Sequence, residues 1–297
     1  MPYHLRSNKK ELGINSTNFW WSKFEKVTET ASPGRYQVFL SDPGVHVDLL
    51  AIGTHAGIHR YTWEKTDTLS VPGLVLDMCH AAKLAENDKV QDSSCTEATI
   101  KIDKNAQTFT GSVLFRGSLS QHVWIYIYGE IVPNTDKIEV GSWRTCSGIH
   151  PIELCQDDVE SVTATEGVLF TAAALRPKMN AGISFENAPI ISLQVDVRVG
   201  ISFISPELAQ MNLRASLQDS SDFLALAQRT KTEWCNALNF ASITPLSGDK
   251  DIAQIFYSAA YRAQLSPTRY TEVWKSTNMQ THYLCFAAVI SIDQKIK

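Results

Sequence analysis

A single change of hydrophobic period, at Ser205-Pro206-Glu207, constrains this chain more than any other feature. Before it, apolar residues recur at every second position, the repeat of a half-buried strand. After it they recur at three and four, the repeat of a helix buried along one stripe. The period-two runs are Arg35 to Leu40, Val45 to Leu50, Ile58 to Trp63, Gly73 to Met78, Ala98 to Ile102, Thr108 to Phe115, Val123 to Glu130, Gly167 to Ala173 and Ile190 to Ser202. Turn residues separate them, as in Ser41-Asp42-Pro43-Gly44, where proline sets φ and glycine tolerates a positive φ. So many strands in so short a span imply two large packed sheets. The expected fold is mainly β with a C-terminal α part: a large antiparallel β-sandwich from about Arg35 to Ser205, then helices to about Leu265.

The switch point carries its own start signal. Serine can cap a helix, proline suits its first position, and glutamate favours the positive end of the helix dipole. Beyond it, Asp222 to Phe240 puts Phe223, Leu226, Ala227, Thr230, Trp234 and Leu238 on one stripe. Asp249 to Leu265 does the same with Ile252, Ile255, Phe256, Ala259, Ala260 and Ala263. Two or three such helices cannot enclose a core, so their apolar faces require the sandwich or further helices. From Trp274 to Lys297 no capped element is legible.

Composition narrows the function. With 44% hydrophobic residues the chain can bury a sizeable core, and a net charge of −4 without charge runs gives no field for nucleic acid or an anionic membrane. No stretch approaches the roughly 20 apolar residues of a membrane-spanning helix, and Met1 to Gly13 is polar rather than an export signal core. The start of the protein is expected to lie upstream, so the compartment stays open. Cys79, Cys95, Cys146, Cys155, Cys235 and Cys285 lack the paired spacing of a zinc site and read as isolated, mostly buried thiols. Asn15-Ser16-Thr17 is a lone glycosylation sequon.

Few residues suggest chemistry. His55 and His59 stand four apart, but Gly53 and Gly57 argue against the helix that would make them joint ligands, so both read as strand histidines that face solvent or hold hydrogen bonds. Gly200-Ile201-Ser202 lacks the second glycine of a nucleophile elbow. Asp157, Asp158 and Glu160 cluster as paired carboxylates do in glycoside hydrolysis, although nothing apolar nearby would raise one carboxyl's pKa, and an exposed acidic loop is the plainer reading. Trp143 could stack on a sugar or fill the core.

Four segments, in order, resemble glycoside hydrolase family 92, the calcium-dependent exo-acting α-mannosidases. They are Phe24 to Val38 with its Glu, Ala and Pro-Gly turn; Val47 to Trp63 with Gly57-Ile58-His59-Arg60-Tyr61; Val197 to Ser205; and Phe256 to Glu272. The resemblance implies an N-terminal β-sandwich domain over 1–205, linker helices over 206–246, and the beginning of a truncated (α/α)6 catalytic domain over 247–297. It further implies single-displacement hydrolysis of α-mannosides on N-linked glycans, with a calcium ion touching the sugar in the full-length enzyme. Departures are expected at both ends, where Met1 to Ser22 and the run from Val273 replace family sequence. No catalytic residue or metal ligand carries over, and this chain is not expected to bind calcium itself. Tyr270 and Glu272 lie near the implied pocket edge and, with Trp143, are the substrate-binding candidates. Two other readings stay open: a β-sandwich protein that binds glycans or cleaves their amide link to protein, and a non-catalytic remnant.

Overall fold

The computed structural model describes residues 2–6, 22–41, 44–63, 70–77, 94–103, 105–116, 122–134, 138–145, 154–157, 161–165, 170–177, 193–218, 220–243, 250–265, 272–275 and 281–284. Fourteen of its strands build two antiparallel sheets. These are β1 (Pro2–Arg6), β2 (Thr30–Ser32), β3 (Arg35–Leu40), β4 (Val45–Ile52), β5 (Ala56–Trp63), β6 (Ser70–Asp77), β7 (Ser94–Asp103), β8 (Thr108–Arg116), β9 (His122–Pro133), β10 (Ile138–Thr145), β11 (Leu154–Asp157), β12 (Ser161–Thr165), β13 (Phe170–Pro177) and β14 (Leu193–Ser202). The five-stranded sheet runs β1-β6-β13-β10-β11 and the nine-stranded sheet β12-β7-β8-β9-β14-β5-β4-β3-β2. Each of the nine runs expected from the sequence contains a strand, with Met78, Gly167 to Leu169 and Ile190 to Ser192 outside the described residues; β1, β2, β10, β11 and β12 are additional.

The inner face of the nine-stranded sheet contributes Val45, Val47, Tyr61, Trp63, Ile102, Phe109, Ile131, Val195 and Val197 to one core, and Leu74 on β6 reaches into that core from the five-stranded sheet. That shared core makes the pair a sandwich. Each Leu or Ile buried there contributes about 1.5–3 kcal/mol by removal from water.

The outer face of the nine-stranded sheet is covered in part by α1 (Pro206–Leu217) and by the first turns of α2 (Phe223–Leu238). Leu50, Ile52, Ile58 and Tyr128 meet Ala209, Leu213, Leu217, Phe223 and Leu226 in a second core. Ser205 caps α1 by accepting from the Leu208 N–H at 3.2 Å, with Pro206 in the first turn. The Glu207 carboxyl is held below its usual range by its own backbone N–H and then by the Ser205 hydroxyl. Ser205→Ala should therefore cost about 1 kcal/mol, read as a lower urea midpoint with an unchanged slope.

Two glycines let α1 and α2 approach. A Cβ on Gly200 would lie 2.1 Å from the Ala209 carbonyl oxygen, so α1 lies directly on β14. Gly34, at φ +78°, closes the Pro33-Gly34 turn, where a Cβ would lie 2.4 Å from the Thr230 methyl on α2. Thr230 also donates to the Ala51 carbonyl at 2.9 Å. The stripe read from the sequence is the buried one, since Phe223, Leu226 and Thr230 all face the sheet.

A second compact unit begins at Leu238. It holds α3 (Lys250–Leu265) and a hairpin of β15 (Glu272–Lys275) and β16 (Thr281–Leu284). The hairpin corrects the expectation of no element after Trp274: Trp274 pairs with His282, and Glu272 with Leu284. Ile252 and Ile255, placed on the buried stripe of α3 by their spacing, are 48% and 68% exposed. In the same unit the rings of Phe240 and Phe256 lie 6.3 Å apart. Cys235, on α2, carries an exposed free thiol rather than the buried one expected.

Candidate functional site

The candidates separate into two places. Trp143 lies in β10, directly opposite Asp157 on β11 and Ala172 on β13, and Ala172 pairs with Val75 on β6. That row alternates with the row of Leu74, which faces the inter-sheet core. Trp143 and Asp157 thus share one row of the five-stranded sheet, set off by one position from the row of Leu74. Asp157 ends a strand and so does not lie in the loop expected for it. The reason is that β11, only four residues long, gains its hydrogen bonds from β10 rather than from any alternation of its own. Asp158 and Glu160 lie outside the described residues, as does Tyr270. Glu272 opens β15 in the second unit.

The most extensive charged network among the described residues was not anticipated, and it sits on the outer face of the nine-stranded sheet. Arg35 donates to both oxygens of Asp48 at 2.9 and 2.5 Å, and Gln37 adds a bond at 3.0 Å. One strand along, Arg60 makes the same fork to Asp196 at 2.7 and 2.8 Å, while the ring of Phe223 lies 4.1 Å from its guanidinium carbon. Arg214 of α1 reaches Glu130 at 2.5 Å, and the Tyr128 hydroxyl donates to the same oxygen at 3.2 Å. Two-pronged arginine–carboxylate bonds are strong and fix the orientation of both partners. The network joins neighbouring strands and, through Arg214 on α1 and the Phe223 ring on α2, ties both helices to the sheet. Its sequence signal is weak because the partners stand far apart in the chain, as Arg60 and Asp196 do.

Of the two histidines, His59 lies on β5 as expected, whereas His55 falls in the turn between β4 and β5, with its buried Nε2 left without a hydrogen-bond partner among the described residues. His55 is buried with Nδ1 2.9 Å from the Thr54 hydroxyl, and His59 Nδ1 lies 3.1 Å from the Tyr61 hydroxyl. Burial pushes the Tyr61 phenol well above its ordinary range. Among the described residues no three His, Cys, Asp or Glu side chains converge as a metal site would require.

Comparison with known proteins decides the family. The glycosyl hydrolase family 92 N-terminal domain model matches residues 1–202, and the glycosyl hydrolase family 92 catalytic domain model matches residues 208–296. The chain belongs to glycosyl hydrolase family 92. Solved family 92 structures share its fold. An alpha-mannosidase from Bacteroides thetaiotaomicron superposes with a TM-score of 0.63 at 19% identity, covering 89% of this chain and 31% of that one. The same enzyme in complex with mannoimidazole gives 0.62 at 19% identity, covering 89% and 30%. A family 92 inverting mannosidase from the same organism gives 0.61 at 19% identity, covering 95% and 31%. The chain thus spans about a third of the length of these enzymes. No curated protein sequence matches it. The family 92 matches run through Met1 to Ser22 and through the run from Val273. They also pass from one domain to the other between residues 202 and 208, where the hydrophobic period changes.

Proposed function

We propose that this chain is the β-sandwich and first helical part of an α-mannosidase that trims N-linked glycans by inverting, calcium-dependent hydrolysis. The observation that carries the reading is the unbroken succession of the two family domains along the chain. The mannosidase names of structural neighbours, one of them described as inverting, support the substrate class and the stereochemistry.

Inverting hydrolysis needs a carboxylic acid on the leaving oxygen and a carboxylate activating water on the opposite face, about 6.5–9.5 Å apart. The paired carboxylates described above, Asp48, Asp196 and Glu130, are bound to arginines, so on this reading the sandwich contributes support and sugar contact while proton transfer falls to other residues. Calcium would require several converging oxygen ligands. The described residues do not fit such a cage.

The test is to incubate the purified chain with an aryl α-mannoside and a high-mannose glycan, with calcium and then with a chelator. Acid–base assistance alone contributes about 10²- to 10⁴-fold, so the expected result is no calcium-dependent release of mannose. Turnover abolished by the chelator would put acid, base and ion within these residues and overturn the division of labour. A transcript continuing into helical sequence whose product does release mannose would support the mannosidase reading, and one whose product hydrolyses only other glycosides would sink it.

A further inference from the structure

Three neighbouring strands of the nine-stranded sheet present a regular grid on their outer face. On β9, Trp124, Tyr126 and Tyr128 follow one another at every second position. Their cross-strand partners on β8 are Leu114, Ser112 and Thr110, and on β7 the row continues through Glu97, Thr99 and Lys101. Tyr128 is sealed beneath α1. Trp124 and Tyr126 are only half-buried, with ring centroids 6.0 Å apart and planes within 19° of parallel. Beside them the hydroxyls of Ser112 and Thr99 bond to each other at 2.7 Å.

From this geometry we propose that Trp124 and Tyr126 form a sugar-stacking platform, and that the adjoining hydroxyls and Lys101 bind the hydroxyls of a neutral oligosaccharide. The indole and phenol rings are stacked with an offset, and the uncovered parts of their electron-rich faces suit the weakly positive C–H edges of a pyranose. The flank carries two hydroxyls bracketed along β7 by one anion, Glu97, and one cation, Lys101, so the grid has no net charge and favours a polar, uncharged ligand over a phosphate or a basic peptide. With strands about 4.8 Å apart, β9 to β7 spans about 10 Å, room for two sugar rings. The surface stands on this geometry alone; the choice of α-mannosides as ligand rests on the mannosidase reading.

Titrating the chain with α-mannobiose and with cellobiose, while following tryptophan fluorescence and calorimetry, tests both parts separately. The expected result is millimolar to micromolar binding of mannobiose, weakened at least tenfold in Trp124→Ala and Tyr126→Ala and several-fold in Lys101→Ala, with circular dichroism unchanged. Lys101 is exposed, so its variant tests the site without threatening the fold. Binding of cellobiose alone, lost in the same variants, would keep the platform and overturn mannoside as its ligand. Binding of neither disaccharide, or binding that survives all three substitutions and disappears in Trp143→Ala, would overturn the platform.

Discussion

Gly200→Ala should destabilise the sandwich by about 3 kcal/mol or more, although it adds a single methyl group. The added Cβ would lie 2.1 Å from the Ala209 carbonyl oxygen and 2.9 Å from the Leu213 Cβ. The first obstacle is helix backbone and cannot rotate away, so α1 must rise from β14 and open the core formed by Leu50, Ile52, Ala209 and Leu213. Overpacking costs typically 1–3 kcal/mol where side chains can adjust, and here they cannot. In a domain of this size each kcal/mol lowers Tm by about 2–4 °C, so a fall of about 6–12 °C is expected by calorimetry. Gly57→Ala is the control, since its Cβ would meet only the Leu50 carbonyl, at 3.3 Å. Equal losses in the two variants would show that β14 and α1 are not in intimate contact.

Asp196→Ala should cost about 3 kcal/mol, more than the pair contributes when intact. Asp196 is 6% exposed and holds both prongs of Arg60, whose guanidinium is roofed by Phe223. Removing only the anion leaves a cation that water cannot fully reach, and breaking buried pairs from one side costs about 3–5 kcal/mol; the partial exposure of Arg60 places the value at the lower end. The double variant Arg60→Met/Asp196→Leu should recover most of the loss, because two apolar groups leave nothing unpaired. Urea unfolding of the unsubstituted chain, Arg60→Met, Asp196→Leu and the double variant gives the coupling directly. A double variant as unstable as Asp196→Ala would mean that packing under Phe223, not charge, decides the cost.

Much of this architecture was legible from residues because most strands alternate and the helix start is signed by Ser205-Pro206-Glu207. Two of the elements that escaped notice, β2 and β11, have little alternation to offer. β2 is three exposed residues, β11 is four, and both take their order from a longer neighbour. β4 shows a different limit. Val45 and Val47 face one core while Leu50 and Ile52 face another, so the run from Leu49 to Ile52 is apolar almost throughout and tells nothing of which partner each face meets. Of the candidate site residues, Trp143 fell on a sheet and Glu272 on a hairpin, and neither placement could be read from spacing. The Trp124–Tyr126 pair was visible as an alternation of aromatics, but its partly uncovered state depends on where α1 ends its cover.

The strand order has a consequence for how the protein is made. β14 lies between β9 and β5, so the strands up to Trp63 and those from Ser94 to Pro133 emerge from the ribosome as two separate ribbons, each with an unfilled edge. At ordinary translation rates the later ribbon and the sequence after it take on the order of ten seconds to appear before Leu193 to Ser202 can join the two. Open strand edges recruit other chains, so the nascent protein needs shielding during that interval, and chaperone dependence should be greatest for chains stalled just short of Leu193. Once β14 is released, α1 follows within a few residues, so the segment that joins the ribbons also delivers the helix that covers part of their outer face.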